Sequence, residues 1–130
     1  MIKVSCAIIE MKGLVLVCQR SDKMDLPGKW EFPGGKLREG ESAEDSIVRE
    51  IMEELSVTIE ILERMPSHHH IYQDKGIELI PFRAKITSGG IRLTEHEDSQ
   101  WLEAIELPLL DWADADIPIV IDYLALIRSQ

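Results

Sequence analysis

Residues 42–57 constrain what this chain can fold into more than any other stretch. Apolar residues recur there at helical spacing, namely Ile47, Val48, Ile51, Met52 and Leu55. This pattern predicts an amphipathic helix with one face packed on a core. Ser42 precedes the helix as an N-cap, and Asp45, three residues later, completes a capping-box-like pair.

Three glutamates crowd this predicted helix. Glu50, Glu53 and Glu54 fall within an arc of about 100°, and we expect that arc to lie opposite the apolar positions. Like charges at this spacing repel each other by a few tenths of a kcal/mol per pair, and only Arg49 relieves them. A solvated acidic face is one explanation. The other is a site for Mg²⁺ or Mn²⁺, which prefer carboxylate ligands. The glycine loop "PGGK" at 33–36 precedes the helix and would allow the backbone to approach a ligand closely.

The charge balance limits the partners of the chain. Its 130 residues include 24 acidic and 14 basic ones, for a net charge of -10. An acidic surface repels nucleic acid polymers and anionic membranes, and a polyanionic substrate would need a cation to bridge it. No apolar run approaches the roughly 20 residues of a membrane span. Two lone cysteines and no signal-peptide pattern favour a cytoplasmic protein. The sequence leaves open whether the protein is monomeric or dimeric.

The remaining elements predict one domain over residues 1–130. With 45% hydrophobic residues, a chain of this length can bury a sizeable core. Strands are predicted at 2–9, 14–20, 57–63, 68–72 and 76–86, with a short extended piece at 30–32. A strand passing into a short helix is predicted at 99–107, before Pro108. A final helix from 117 has its apolar positions at 117, 120, 121, 124 and 127. This order, β-β-β-α-β-β-β-α-α, predicts an α/β or α+β fold with a mixed sheet.

The glutamates stand in a spacing that resembles the Nudix box, G-x5-E-x7-R-E-U-x-E-E-x-G-U, where U is aliphatic. Eight of its nine specified positions agree across residues 35–57, and Ser56 replaces the last glycine. The flanking stretches "WEFPGGK" and "LDWADADIPIVIDYL" resemble the MutT-like branch, which includes enzymes acting on CTP and on 8-oxo-dGTP. The resemblance implies an α/β/α sandwich around a mixed sheet. It also implies hydrolysis of a nucleoside triphosphate to the monophosphate and pyrophosphate with Mg²⁺, or Mn²⁺ as a substitute, as in nucleotide pool sanitisation.

The resemblance also implies roles for residues of the box. The groups that would hold metal are the Gly34 carbonyl and the carboxylates of Glu50, Glu53 and Glu54. Glu53 is the first choice for the general base that deprotonates the attacking water, with the β-phosphorus as the implied target. Arg49 and Glu41 would orient the glutamates.

Further residues match positions outside the box. Glu95, six residues before Trp101, matches a loop glutamate that binds metal or acts as a base in the family. Glu97 is its rival, and a plain surface loop is the alternative. Arg20 matches an arginine that contacts phosphate, and Lys36 follows the glycines and could do the same. For both of these, a solvent-exposed basic side chain is the alternative.

The nucleobase site is predicted to be apolar with few polar groups. Candidates to flank the base are Phe32, Ile2, Val4 and Tyr72, with ordinary core packing as the alternative. Asp116 occupies the position of a residue that reads the base edge, although it could instead cap the last helix, with Pro118 in the first turn. An ionised Asp only accepts hydrogen bonds, which suits the cytosine amine or the guanine N1–H and N2 pair. The choice between pyrimidine and oxidised purine therefore stays open.

Two other hypotheses belong to different functional classes. Ser56 is the one feature that favours a non-catalytic nucleotide-binding module on the same scaffold. A plain interaction domain with an acidic face would show no metal response. The histidines at 68–70 do not predict a zinc site, because consecutive residues of an extended segment alternate faces and no second ligand pair is present.

Overall fold

A computed structural model describes all 130 residues of the chain. The elements are β1 Ile2–Met11, β2 Leu14–Gln19, β3 Trp30–Glu31, β4 Gly34–Lys36, α1 Ala43–Leu55, β5 Thr58–Arg64, β6 His68–Tyr72, β7 Lys75–Ser88, β8 Asp98–Glu103 and α2 Ile117–Arg128, with 3-10 turns at Ala104–Leu109 and Asp114–Asp116. Every predicted element is present. The sequence analysis missed the short β4, and Pro108 lies inside the first 3-10 turn rather than after a helix.

All eight strands belong to one mixed sheet. Its main order is β3-β2-β1-β7-β5, with β4 on β1, β6 on β7 and β8 on β2. The β1–β7 ladder is parallel, while the other strand ladders are antiparallel. The mixed sheet flanked by helices confirms the predicted fold class. On β1, Ser5 and Cys6 pair with Gly35 and Gly34 of β4, which fixes the glycine loop against the centre of the sheet.

Two tight hairpins shape the sheet. The residues between β6 and β7, Gln73 and Asp74, both have positive φ (50° and 63°). Lys12 and Gly13, between β1 and β2, do as well (51° and 80°). Two-residue loops of this kind match the right-handed twist of the strands. The turn of the β6–β7 hairpin lies at the edge of the cavity described below.

Helix α1 packs on one face of the sheet through Ile47, Ile51 and Leu55, which are fully buried. The predicted apolar face was too wide, since Val48 is 36% exposed and Met52 46% exposed. The prediction that all three glutamates oppose the core was also wrong. Glu54 is only 8% exposed, because it lies one turn from Ile51 and two turns from Ile47 on the same face of the helix.

Helix α2 packs on the opposite face of the sheet, so that the molecule has three layers. Its buried residues are Ile119, Val120 and Tyr123. The predicted face was wrong at Ile117 and Ile121, which are exposed. The helix is apolar on most of its circumference, and periodicity alone could not identify the buried side. No helix of the molecule combines the length and the apolar character needed to cross a bilayer.

Candidate active site

A cavity of about 620 Å³ opens at the edge of β1 and β4. The β6–β7 hairpin, the loop after β2, the segment before β8 and the second 3-10 turn complete its wall. This volume lies in the range of small-molecule sites. Seven carboxyl side chains and three basic ones line the cavity.

Most of the predicted site residues lie in this wall. Those that line the cavity are Ile2, Val4, Arg20, Phe32, Gly34, Lys36, Glu50, Glu54, Tyr72, Glu95 and Asp116. Four others, Glu41, Arg49, Glu53 and Glu97, lie outside it. The structure therefore brings together residues from seven separate parts of the sequence.

Arg49 holds three glutamates at once. Its guanidinium donates two hydrogen bonds of 2.8 Å to Glu41, one of 2.8 Å to Glu50 and one of 3.1 Å to Glu53. The bond from Arg49, together with the backbone N–H of Arg38, lowers the pKa of Glu41 to about 2. Glu41, and then Glu50, raise the pKa of Arg49. This geometry suits the orienting role expected of Arg49 and Glu41.

Two glycines make room for the glutamates. A Cβ on Gly35 would lie 2.3 Å from the carboxyl carbon of Glu50, and one on Gly34 would lie 1.9 Å from the Ser5 carbonyl oxygen. Any side chain would therefore displace Glu50 or separate β4 from β1. The Gly34 N–H donates to Glu54 Oε1 at 3.0 Å, which ties the loop to helix α1.

Glu54 is the carboxylate most affected by its surroundings. Its pKa is raised to about 9, chiefly by burial and then by the charges of Glu31 and Glu50, while the hydrogen bond from the Gly34 N–H lowers it. A divalent cation would reverse this by stabilising the charged form. Glu50, Glu54 and Glu95 line one cavity and offer the hard oxygen donors that Mg²⁺ and Mn²⁺ prefer.

The carboxylate oxygens of these glutamates do not point toward one common position. No three carboxylate or imidazole groups already form a metal cage. Glu50 faces Arg49, and Glu53 faces both Arg49 and Arg38. The side chains of Arg38 and Glu53 are 65% and 47% exposed, and such a pair is worth less than about 1 kcal/mol. Glu53 is therefore only weakly held by Arg38, and the oxygen donors of this set are of the type that a divalent cation prefers.

Asp116 reaches into the cavity rather than capping α2. It is buried, and its Oδ2 accepts a hydrogen bond of 2.9 Å from the Phe32 N–H. It stands at the N-cap position of α2, as the alternative predicted, but its side chain makes no hydrogen bond to the start of that helix. Burial, and then the charge of Glu31, raise its pKa well above the ordinary value. Phe32 is itself buried, with its ring 4.9 Å from that of Trp112.

Sequence reasoning missed Glu31 and His96. One oxygen of Glu31 accepts from Arg20 at 2.6 Å, and the other accepts from His96 Nε2 at 2.8 Å. Arg20 also donates to the Asp25 carbonyl, so it is not a free surface arginine. A charged residue between two aromatic ones in "WEF" was the available signal for Glu31. His96 stood beside Glu95 in "LTEHED" without a distinguishing pattern.

The segment before β8 places Glu95, and not Glu97, in the cavity wall. The hydroxyl of Thr94 donates to the carbonyls of Glu53 and Glu54 at 3.2 and 3.3 Å, which holds the segment against the end of α1. The N–H of Glu97 donates to the Gln19 carbonyl at 2.9 Å. Between these anchors Glu95 lines the cavity, whereas Glu97 is exposed outside it.

The three histidines have separate positions. His68 contacts Asp122 at 2.6 Å, and His69 is exposed. His70 lines the cavity two residues before Tyr72, on the same face of β6. Lys75, across the hairpin, lines it as well. The sequence analysis did not select His70 or Lys75 as site residues.

Comparison with known proteins gives consistent results. The NUDIX domain description matches residues 1–123. The CTP pyrophosphohydrolase of Escherichia coli (strain K12) is 36% identical over 129 residues, which cover 97% of this chain and 93% of the relative. The 8-oxo-dGTP diphosphatase of Proteus vulgaris is 34% identical over 92 residues, covering 71% and 80%. The solution structure of the E. coli ORF135 protein aligns with a TM-score of 0.88 and 33% identity over 100% of this chain and 93% of that one.

Proposed function

This chain belongs to the NUDIX hydrolase family, and we propose that it hydrolyses cytidine triphosphates, CTP or dCTP, to the monophosphate and pyrophosphate. Its relatives include enzymes named for CTP and for 8-oxo-dGTP, so the family alone leaves the base open. The observation that favours cytosine is the buried carboxyl group of Asp116 in the cavity wall.

The protonation of Asp116 decides what it can recognise. Its Oδ2 already accepts from the Phe32 N–H, which leaves Oδ1 for the ligand. Burial raises its pKa well above the ordinary value, and we propose that the base binds the neutral form of this group rather than the ionised form assumed from the sequence. A neutral carboxyl group donates through its O–H. Cytosine accepts such a bond at the ring nitrogen N3, whereas N1 of guanine and 8-oxoguanine carries a hydrogen and only O6 on that edge could accept it.

Apolar groups complete the base site. Ile2, Val4, Phe32 and Tyr72 share the wall with Asp116. Phe32 and Asp116 are joined by a backbone bond, so a base packed beside Phe32 lies within reach of the carboxyl group. We propose that these four side chains flank the cytosine ring and exclude water from its edge.

The phosphates require a cation, because carboxyl groups outnumber basic ones in the wall by seven to three. Glu50, Glu53, Glu54, Glu95 and the Gly34 carbonyl would hold Mg²⁺, with Mn²⁺ as a substitute. When bound, the ion would neutralise triphosphate charge and withdraw electrons from phosphorus. Lys36, exposed in the wall, and Nη2 of Arg20, which has no partner, would contact the phosphate oxygens.

Glu53 is our candidate for the general base. It would accept a proton from the attacking water while Arg49 holds its second oxygen. The water oxygen bonds to the β-phosphorus, and the bond from that phosphorus to the α,β-bridging oxygen breaks. The nucleoside monophosphate leaves, and the water oxygen remains in pyrophosphate. Hydrolysis in ¹⁸O-labelled water tests this, since label in the monophosphate would contradict it.

The substrate is tested by pyrophosphate release with Mg²⁺ from CTP, dCTP, 5-methyl-dCTP, 8-oxo-dGTP and the unmodified triphosphates. We expect kcat/KM for cytosine nucleotides to exceed that for 8-oxo-dGTP by at least about tenfold, the value of one well-matched hydrogen bond. A preference for 8-oxo-dGTP would refute the cytosine assignment. The control is Glu53→Gln, which should fold normally and lose most of the rate. Tight CTP binding without turnover would favour the non-catalytic alternative.

A further inference from the structure

His96 occupies an unusual position among the buried polar groups. Its side chain is fully buried, and Nε2 lies 2.8 Å from Glu31 Oε2. The other ring nitrogen, Nδ1, is the one buried side-chain nitrogen or oxygen in the molecule without a hydrogen-bond partner. It faces Glu54 Oε2 at 4.0 Å. A histidine retained only for core packing would not need to place a second nitrogen beside a carboxyl group.

The imidazole joins two ends of the cavity. On one side, Glu31 also accepts from Arg20, and both residues line the cavity. On the other side, Glu54 also accepts from the Gly34 N–H of the glycine loop. The chain of contacts therefore runs from Arg20 through Glu31 and His96 to Glu54 and the loop.

The backbone around His96 is fixed from both directions. The N–H groups of Arg92 and Thr94 donate to the carbonyls of Leu55 and Glu54 at the end of α1, at 2.9 and 3.2 Å. The Glu97 N–H donates to the end of β2. A buried ring on a backbone tied to both elements has little freedom to move. It can therefore set the orientation of Glu31, to which it is hydrogen-bonded, and limit that of Glu54, which faces Nδ1 at 4.0 Å.

We propose that His96 is a positioning residue with two separable roles, in which Nε2 orients Glu31 for nucleotide binding and the Nδ1 edge orients Glu54 for the divalent cation. The proposal rests on the proposed function, because that function assigns the cation to Glu54 and the nucleotide phosphates to Arg20, which donates a hydrogen bond to Glu31. Partners of this kind, one contact behind the ligating group, typically change affinity by about 10- to 100-fold when removed.

Two amide substitutions separate the roles. The side-chain nitrogen of Gln reaches about as far as imidazole Nε2, and that of Asn about as far as Nδ1. His96→Gln should therefore keep the contact with Glu31 and lose the one with Glu54, and His96→Asn should do the reverse. His96→Leu removes both contacts. The exposed His69→Gln is the matched control.

The readouts do not depend on turnover. Mn²⁺ affinity is measured by electron paramagnetic resonance without nucleotide. Nucleotide affinity is measured by calorimetry without metal, using the monophosphate of whichever triphosphate the wild type hydrolyses fastest. We expect His96→Gln to weaken Mn²⁺ binding about tenfold with nucleotide affinity within twofold of wild type, and His96→Asn to show the opposite. In kinetics, His96→Asn should raise KM more than it lowers kcat.

Other outcomes overturn the proposal. Equal loss of both affinities in the Gln and Asn variants, with a lower Tm, would mean that His96 only packs the core. Unchanged affinities in both would mean that it positions neither carboxyl group. NMR of the wild type gives a test free of folding effects. Mg²⁺ alone should shift the Nδ1 nitrogen resonance of His96, and nucleotide alone should shift the Nε2 resonance. Two resonances that do not shift would refute the assignment. Failure of CTP hydrolysis in the wild type would instead refute the proposed function.

Discussion

Ser56→Gly should stabilise the protein without changing its catalysis. Ser56 ends helix α1 with φ 61° and ψ 31°, in the left-handed region, and its N–H donates to the Met52 carbonyl at 3.0 Å. An L-residue in this conformation is less stable than glycine by about 1–2 kcal/mol. Glycine also raises the conformational entropy of the unfolded chain, which offsets about 0.5–1 kcal/mol of that stabilisation. The Ser56 hydroxyl makes no hydrogen bond that the substitution would remove.

The net gain should be about 0.5–1 kcal/mol, which for a domain of this size raises Tm by roughly 2–5 °C. Thermal and urea unfolding by circular dichroism measure it. Ser67→Gly is the matched control, because Ser67 is exposed and has no positive φ, so that glycine should be neutral or slightly destabilising there. A Ser56 variant no more stable than the Ser67 variant would refute the reasoning. We expect kcat within twofold of wild type, since Ser56 does not line the cavity.

Three further variants test the site and its electrostatics. Gly35→Ala should displace Glu50 and lower kcat/KM at least about tenfold in a pyrophosphate-release assay, whereas Gly90→Ala, where a Cβ meets nothing within 4 Å, should not. Glu41→Gln should lower Tm at neutral pH. Because the folded-state pKa of Glu41 is lowered from 4.5 to about 2, its contribution to folding stability is present above pH 4.5 and lost as pH falls toward 2. The Tm difference between wild type and variant should therefore disappear over that pH range. A Tm difference that stays constant would contradict the prediction. Asp116→Asn should gain stability relative to wild type as pH rises above 3.8, because above that pH the unfolded wild-type chain releases a proton that the buried group still holds. A difference in stability that is independent of pH would show that burial does not raise the pKa of Asp116.

The strands and the glycine loop could be predicted from sequence because their signals are local. Alternating apolar residues and the turn residues are read within a few positions of one another. The exposed and buried sides of the helices were harder to assign. Val48 and Met52 continued an apolar pattern yet are 36% and 46% exposed, because a helix packed on a sheet buries only one side of its surface.

The chemistry of the site depended on contacts between distant residues. The spacing of the box located Glu50 and Glu54, but not the burial that raises the pKa of Glu54 to about 9. His96 meets Glu31, 65 residues away, across the sheet. Asp116 meets the Phe32 N–H, 84 residues away. No local pattern encodes these pairs, because the chain topology creates them.

The protonation of Asp116 is the basis of the cytosine assignment, and kcat/KM for CTP in Asp116→Asn and Asp116→Ala tests it most directly. Asn offers an N–H donor where the neutral acid offers its O–H, and its oxygen can still accept from the Phe32 N–H. We predict that the Asn variant stays within a few-fold of wild type, while the Ala variant falls at least about tenfold. An Asn variant that falls as far as the Ala variant would show that the enzyme needs an ionised carboxylate there, and would contradict the account.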